Sequence, residues 1–240
     1  MAKMRLDKLL SNMGIGTRKE VKKYIKDGLV EVNGEIVLDP SKTVDTEKDE
    51  VLFDGEKVEY KEFIYVMMNK PQGVISATHD KSEETVIDLL PEEIGLRKVF
   101  PVGRLDKDTE GLLIITNDGE LAHKLLSPKK KVVKKYYAEV LGKITEKDAE
   151  KFKEGVILED GYRTMPSQLE IIESSDISKV YVYLTEGKYH QVKRMFEAIG
   201  KKVLYLKRLC MGKLQLDENL EPGEWRELTE EEVNLLKETI

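Results

Sequence analysis

The apolar and polar pattern of the first sixty residues predicts a small separate module. Apolar residues at helical spacing predict a short amphipathic helix over 6–13. Thr17 and Glu20 have the spacing of a capping box, which predicts a second helix beginning there. The alternating run LVEVNGEIV that follows is centred on Asn33-Gly34, a strong signal for a hairpin with a type I′ turn. We therefore expect two helices and a hairpin before the main body of the chain.

From Phe63 onward the pattern changes to short β-rich runs with occasional helices. The predicted strands are 63–68, 111–116, 136–141, 156–158, 168–172, 179–184 and 213–216. Helical patterns are found over 190–199 and over the acidic segment 229–238. Strands outnumber helices and do not alternate strictly with them, which favours an α+β fold with a mixed, mainly antiparallel sheet and flanking helices. The predicted domains are 1–60 and 61–240.

Composition excludes several classes of protein. The chain has 240 residues, of which 40% are hydrophobic, but no run approaches the roughly 20 apolar residues of a membrane helix. The N-terminus lacks the apolar core of a signal peptide. One cysteine, Cys210, cannot form an internal disulfide framework, and with only three histidines a structural zinc site is not expected. No phosphate-binding glycine loop is present. We expect a cytoplasmic protein without membrane, metal or cofactor.

The charges are segregated along the chain. The net charge is −6, which by itself argues weakly against a nucleic-acid partner. Basic residues nevertheless concentrate in 1–26, 124–135 and 188–208, while acidic residues concentrate in 27–60 and 217–240. A polyanion responds to local patches within a Debye length more than to net charge. The distribution therefore predicts basic patches on an acidic body.

One such patch is expected on the second helix. Four lysines lie at i, i+3, i+4 and i+7 on one face of this helix. A solvated helix face is the alternative, but such a face normally mixes both signs of charge. Contact with RNA phosphates is the preferred interpretation, since each contact releases counterions. The residues concerned, with three neighbours in sequence, are Arg5, Lys8, Arg18, Lys19, Lys22, Lys23 and Lys26.

The segment GRLDKDTEGLLIITNDG, 103–119, is the second candidate for chemistry. Asp106 and Asp108 precede an apolar strand, in a turn bracketed by glycines. A calcium loop is excluded because apolar residues fill the later ligand positions and Asn117 stands where the bidentate glutamate is needed. A simple strand-initiating turn and a catalytic carboxylate presented on a rigid loop both remain open on the residues alone.

Several motifs together resemble known RNA-modifying enzymes. The pattern RLDKLL…TRKEVKKYIKDGLVEVNG, over about 4–50, is similar to the S4 RNA-binding module of ribosomal protein S4. The blocks NKPQGVISATHD, GRLDKDTEGLLIITNDG, KKYYAEVLG and EGKYHQVKRMFEAIGKKVLYLKR resemble, in order, RluA/RsuA-type pseudouridine synthases. Within them the chain looks like the RsuA/RluB-type branch, and the EGKYHQVKRMFEA form is most similar to the enzymes of small-subunit (16S) ribosomal RNA. The resemblance covers almost the whole chain.

This resemblance implies a reaction that breaks the N1–C1′ bond of a uridine and joins C5 to C1′, without cofactor or metal. The base must first be flipped out of its stack. Asp106 matches the catalytic aspartate of the family. Its carboxylate could attack C1′, attack C6 of the ring or remove the 2′ proton, and the sequence does not separate these roles.

Two further residues are implied as catalytic. Lys193 matches the basic residue that stabilises the ionised Asp106; a surface ion pair with Glu197 is its structural alternative. Tyr136 matches the active-site tyrosine, although a one-residue slip would exchange it for Tyr137. Further RNA contacts are expected from Arg104, Lys134 and Arg194. Arg104 could instead pair with Asp108. No chemistry is assigned to His190.

The implied function is site-specific isomerisation of uridine in ribosomal RNA, free or within a pre-ribosomal particle, with 16S rRNA preferred. A 23S rRNA enzyme of the same family is the first alternative. A non-catalytic RNA-binding assembly factor is the second, although such a protein would more readily have lost Asp106, Tyr136 or Lys193. The protein is expected to act as a monomer.

Overall fold

The computed structural model describes residues 3–240. The chain divides into two compact units: Met1–Ile64 with Ile87–Phe100, and Tyr65–Val86 with Pro101–Ile240. These are called the N-terminal unit and the sheet unit below. The predicted domain boundary between residues 60 and 61 remains a prediction. Over residues 3–240, no helix combines the length and apolar character that crossing a bilayer requires.

Short elements build the N-terminal unit. Its four-stranded sheet has the order β3-β2-β5-β6, and β1 pairs with β4 in a separate ladder. All of these pairings are antiparallel. The elements are β1 Lys3–Arg5, α1 Leu6–Asn12, α2 Arg18–Lys26, β2 Val30–Val32, β3 Glu35–Ile36, β4 Thr43–Asp45, β5 Val51–Phe53, β6 Glu56–Lys57 and, further along the chain, α3 Glu92–Leu96.

The start of α2 and the hairpin form for the reasons that the sequence indicates. The Thr17 backbone N–H donates to the Glu20 carboxylate at 2.8 Å, and the Glu20 N–H donates back to the Thr17 hydroxyl. Both helix-terminal donors are thereby satisfied. Asn33 and Gly34 have φ of 55° and 80°, the positive values that a type I′ turn requires. The predicted capping box and hairpin turn are confirmed.

Apolar residues from α1, α2 and the strands form one core in the N-terminal unit. Leu6, Leu9 and Leu10 of α1 pack with Val21 and Ile25 of α2, and all five are at most 1% exposed. Because these side chains occupy one stripe of each helix, the basic residues are left on the opposite face. The lysines of α2 are consequently exposed by the same pattern that buries its apolar stripe.

A large sheet dominates the second unit. Its elements, with β8 at the boundary between the units, are β7 Tyr65–Lys70, β8 Phe100–Pro101, β9 Glu110–Thr116, α4 Gly119–Leu126, β10 Lys134–Leu141, α5 Glu146–Glu154, β11 Gln168–Glu173, β12 Ile177–Leu184, α6 Gln191–Ala198, β13 Lys202–Met211, β14 Leu214–Gln215, β15 Trp225–Glu227 and α7 Glu230–Glu238. A 3-10 turn occupies Pro128–Lys130.

The strand order across this sheet is β11-β12-β10-β13-β9-β7-β15, with β14 beside β13. These neighbours run antiparallel except β13 and β9, which are parallel. The predicted α+β class with a mixed, mainly antiparallel sheet is confirmed. At the parallel junction Gly111 has φ of 105°, and a Cβ there would lie 2.2 Å from the Arg208 carbonyl oxygen. Only glycine therefore permits β9 to start this close to β13.

Some local predictions are wrong. Residues 156–158 form no strand, only an isolated bridge between Ile157 and Arg163. Strand β13, Lys202–Met211, was not predicted, and it contains most of the basic residues of the run 201–208. Helix α5 was not predicted, since its sequence EKDAEKFKE offers few apolar side chains. Phe152 of this helix is fully buried, and Thr145 and Asp148 form its capping box.

Candidate active site

A cavity of about 720 Å³ lies in the sheet unit. The loop between β8 and β9, the strand β10, and the segment between β12 and α6 all contribute to its lining. Asp106, Tyr136 and His190 are among the residues that line it. Three separate stretches of the sequence therefore meet around one concave surface of a size usual for ligand sites.

Asp106 lies in a tight turn directly before β9 and forms an ion pair with a lysine of α6. The Thr109 N–H donates to the Asp106 carbonyl at 3.0 Å, which closes the turn. Lys193 Nζ lies 3.1 Å from Asp106 Oδ2 and 2.5 Å from Asp108 Oδ1. One cation thus holds two carboxylates, and the alternative pairing of Lys193 with Glu197 is not formed.

The ion pair of Lys193 with Asp106 is partly buried, and burial acts on the pKa values of Lys193 and Asp108. The Lys193 and Asp106 side chains are only 19% and 23% exposed. Burial alone would lower the pKa of Lys193, but hydrogen bonds to Asp108 and Asp106 outweigh it and raise that pKa. Burial would likewise raise the pKa of Asp108, yet the hydrogen bond and charge of Lys193 lower it. Lys193 is therefore held as a cation, and Asp108 is held as an ionised carboxylate.

Tyr136 and Tyr137 lie on opposite faces of β10. Tyr136 is 9% exposed and lines the cavity with Asp106. Tyr137 packs its ring edge-on against Tyr181 and Tyr205, and its hydroxyl donates to Glu139 at 3.0 Å. Strand alternation therefore directs only the first tyrosine of the pair toward the cavity.

His190, to which the sequence assigned no chemistry, also lies at the aspartate. Its Nε2 is 3.6 Å from Asp106 Oδ1, and its ring stacks on that of Tyr189 at a centroid distance of 3.7 Å. The residue has a left-handed φ of 47° at the start of α6. Such a conformation is uncommon outside glycine, and the residue that adopts it lines the cavity beside Asp106.

The segment 70–76 fixes the loop that carries Asp106, a role that sequence reasoning missed. Lys70 is fully buried, and its Nζ donates to the carbonyls of Pro71 at 2.8 Å, Thr109 at 3.0 Å and Lys107 at 3.3 Å. The Ser76 hydroxyl donates to the Leu105 carbonyl and accepts from the Leu105 N–H. A lysine ending the apolar run of β7 was the signal available in the sequence.

The other basic residues predicted in the sheet unit have different surroundings. Arg104 is exposed beside the cavity, and within residues 3–240 it has no hydrogen-bond or ion-pair partner; its alternative pairing with Asp108 is not formed. Arg194 donates to Asp160 at 2.5 Å. Lys134 lies at the cavity floor rather than on the surface, and is 8% exposed.

Most basic residues predicted in the N-terminal unit are exposed. Lys8, Arg18, Lys19, Lys23 and Lys26 are exposed, and none forms an ion pair within the described part of the chain. The other two residues of that set interact with Asp7: Arg5 at 3.0 Å and Lys22 at 4.0 Å. The α2 face keeps three lysines without a counter-ion, as a phosphate-binding surface requires.

Comparison with known proteins gives this geometry a chemical context. The family described as RNA pseudouridylate synthase matches residues 64–198, and the S4 domain matches residues 4–51. Residues 3–240 contain no cluster of three or more His, Cys, Asp or Glu side chains that could hold a metal ion.

Three curated relatives align along essentially the full chain. An uncharacterised RNA pseudouridine synthase of Bacillus subtilis is 54% identical, with 98% of this chain and 99% of the relative covered. Ribosomal small subunit pseudouridine synthase A of Vibrio cholerae is 41% identical, with 96% and 98% covered. Ribosomal large subunit pseudouridine synthase B of Bacillus subtilis is 39% identical, with 97% and 95% covered. With an N-terminal S4 domain and a pseudouridine synthase sheet unit, the chain belongs to the RNA pseudouridylate synthase family.

Proposed function

We propose that this RNA pseudouridine synthase converts one uridine of ribosomal RNA, with 16S rRNA as the preferred substrate, into pseudouridine, and that Asp106 acts on the flipped-out nucleotide. The observation that carries the proposal is the pairing of the Asp106 carboxylate with Lys193 at 3.1 Å in a cavity that Tyr136 also lines. A carboxylate, a cation and an aromatic ring converge where a single base can enter.

The reaction needs only acid–base and nucleophilic groups of the protein. The N1–C1′ bond breaks, the freed base turns, and C5 bonds to C1′; C5 then loses its proton and N1 gains one. The Tyr136 ring provides a surface on which the base can stack, and its hydroxyl is a group that can help remove the C5 proton. Neither redox chemistry nor a group donor enters this balance.

Asp106 can serve through three routes that all use the same ionised carboxylate. It can attack C1′, attack C6 of the ring, or remove the 2′ proton to give a glycal. In each route Lys193 keeps the carboxylate anionic when the incoming base displaces water. His190, at 3.6 Å from the other carboxylate oxygen, adds a second group that can orient it.

Ribosomal RNA is proposed as the substrate because of the relatives' names, and the small subunit is proposed because of one segment of the sequence. Relatives named for the small and for the large subunit are almost equally similar to this chain. The segment EGKYHQVKRMFEA favours 16S rRNA, and 23S rRNA is the alternative. Such a substrate would place the enzyme in the cytoplasm, acting on rRNA or a pre-ribosomal particle.

Carbodiimide mapping of pseudouridine in rRNA from cells with and without the gene tests this function. We expect one 16S position to lose its pseudouridine and to regain it when the gene is restored. Loss at a 23S position would establish the alternative subunit. If no site in either RNA changes, the proposal is wrong and an RNA-binding assembly role takes its place.

An Asp106→Asn variant tests the catalytic assignment. This nearly isosteric change removes the carboxylate charge, so product formation should be abolished while RNA affinity stays within about threefold. Asp176→Asn is the matched control, because Asp176 is exposed between β11 and β12, away from the residues that line the cavity. Activity retained by Asp106→Asn would contradict the assignment.

A further inference from the structure

Two buried cations at the cavity floor take no part in the chemistry described so far. Lys134 and Arg208 both line the cavity, and they are only 8% and 2% exposed. A buried charge is costly unless hydrogen bonds or an opposite charge compensate it. Their surroundings therefore show whether the protein itself supplies that compensation.

The protein compensates these two cations only in part. Arg208 Nε donates to the Leu112 carbonyl at 2.8 Å, which fixes the guanidinium, but its buried Nη2 has no hydrogen-bond partner within residues 3–240. Lys134 Nζ has a single long bond, 3.3 Å, to the Val132 carbonyl. No carboxylate of residues 3–240 lies within ion-pair distance of either, and burial lowers the pKa of Lys134 to about 8.

The acidic group that acts on Lys134 already has hydrogen-bond donors of its own. Glu186 lines the same cavity and attracts Lys134 electrostatically. Its Oε1 accepts from the Met165 N–H and from Gln191 Nε2, and its Oε2 accepts from the Tyr162 hydroxyl. Three donors thus hold this carboxylate in place, and the two cations keep donor capacity for a group that enters from outside.

The sheet places both cations beside Tyr136. Lys134 and Tyr136 are two residues apart on β10 and share one face. Arg208 of β13 is directly opposite Tyr136 in the strand register. The free donors therefore flank the Tyr136 ring, on which the uracil stacks in the proposed function. The edge of a base stacked on that ring comes within hydrogen-bonding reach of these donors.

We propose that Lys134 and Arg208 bind O4 of the flipped uracil and thereby select uridine over cytidine, an inference that rests on the proposed function. A base is joined to the RNA by one glycosidic bond, so its carbonyl edge can reach two buried cations. A phosphate fits this position less well, because the RNA chain continues on both sides of it. Cytidine carries an amino donor in place of O4, which would face these donors without forming a hydrogen bond.

Tritium release measures the expected loss. RNA carrying tritium at C5 of the uridine found by the mapping loses it when the new carbon–carbon bond forms. Lys134→Met and Arg208→Met should each lower the single-turnover rate by about 10- to 100-fold, the effect of losing a charged hydrogen bond. RNA affinity should stay within about threefold, as for Lys153→Met on the exposed face of α5.

Two outcomes separate this inference from the proposed function. If the unaltered enzyme releases no tritium, the proposed function fails. If that enzyme is active and both variants react as fast as Lys153→Met, only the inference is wrong. Lys134→Arg is the control for misfolding. It keeps a cation, so it should retain most of the single-turnover rate that Lys134→Met loses. Equal loss in both variants, with native thermal unfolding, would contradict the inference.

A sulfur substitution identifies the atom that is bound. Sulfur accepts hydrogen bonds poorly. RNA with 2-thiouridine at the target should react at nearly the normal rate, and slowing there would place the contact at O2, which cytidine shares, and would overturn the proposal. RNA with 4-thiouridine at the target should react about tenfold more slowly with the unaltered enzyme. With Lys134→Met the same substitution should cause little further loss, because the contact is already gone. Equal slowing of both proteins, together with a weaker salt dependence of RNA binding in the variant, would indicate a phosphate contact and overturn the proposal.

Discussion

The same residue type has opposite surroundings in the two units. On α2 of the N-terminal unit, Lys19, Lys23 and Lys26 are exposed and lack ion-pair partners among residues 3–240. In the sheet unit, Lys70 is fully buried against three backbone carbonyls, and Lys193 joins two carboxylates. The first set can act only through charge, since nothing fixes the direction of its ammonium groups. The second set acts through the fixed position of its ammonium groups.

This difference indicates how each unit tolerates change. Exposed lysines contribute separately to phosphate binding, and the contribution of each weakens with salt. A buried lysine with fixed partners cannot be replaced by a neighbour, because its loss leaves polar groups unsatisfied. Substitutions in the sheet unit should therefore alter the chemical step, and substitutions on α2 should alter RNA affinity alone.

The largest effect is expected at Lys193. Lys193→Met removes the cation from Asp106 and Asp108, so two carboxylates would face each other without compensation. We expect the single-turnover rate to fall by at least about 100-fold, in the range found for loss of a positioned acid–base partner. RNA affinity, measured by filter binding, should change little.

Lys193→Arg provides the matched control for that change. It keeps the positive charge beside Asp106, and should recover a large part of the activity that the methionine variant loses. If Lys193→Met retained nearly full activity, the ion pair would be structural, and the contrast between the two sets of lysines would not hold for catalysis.

A smaller effect on rate is expected at Lys70. Lys70→Met leaves the carbonyls of Pro71, Lys107 and Thr109 without this donor, so the loop that carries Asp106 loses an anchor. We expect the rate to fall by about 10- to 30-fold, through misplacement of the carboxylate rather than loss of any reacting group. The Gly73 N–H donates to the Lys107 carbonyl and the Thr109 N–H to the Asp106 carbonyl. Hydrogen exchange of these two amides should become faster, whereas a variant with unchanged exchange and rate would exclude an anchoring role.

The stability of the protein between pH 8 and 10.5 gives a second measurement on Lys70. Burial lowers its pKa from 10.5 to about 8. In this window the unfolded state binds more protons at this residue, so the unfolding free energy of the unaltered protein should rise with pH. Lys70→Met should lack up to about 3 kcal/mol of that rise. Denaturant unfolding at the two pH values compares the proteins, and identical slopes would mean that folding does not lower the pKa of Lys70.

Local signals in the sequence predicted much of the fold. The capping box at Thr17 and the Asn33-Gly34 turn depend on neighbouring residues alone, and both are confirmed. The parallel pairing of β9 with β13 was not predicted, because Gly111 meets Arg208 across almost a hundred residues of chain. Periodicity within one segment carries no information about which distant strand lies beside it.

The candidate site shows the same limit. Asp106, Tyr136 and Lys193 were indicated by resemblance, and strand alternation on β10 explains why Tyr136 rather than Tyr137 faces the cavity. The role of Lys70 and the proximity of His190 to Asp106 were not predicted, since both arise from contacts between separate segments. Charge counting also suggested a surface position for Lys134, which the alternation of β10 buries.

The smallest effect on the chemical step is expected on α2, and it tests the exposed side of the comparison. Changing Lys19, Lys23 and Lys26 together to Ala should weaken RNA binding by about tenfold near physiological salt, and lower the slope of log affinity against log salt by about 2. At saturating RNA the single-turnover rate should stay unchanged, since these ammonium groups contribute to RNA binding and not to the chemical step. The matched control changes Lys143, Lys147 and Lys153, three exposed lysines of the sheet unit, and should leave the salt slope as it was. If both triple variants weakened binding equally, net charge rather than the α2 face would determine RNA affinity.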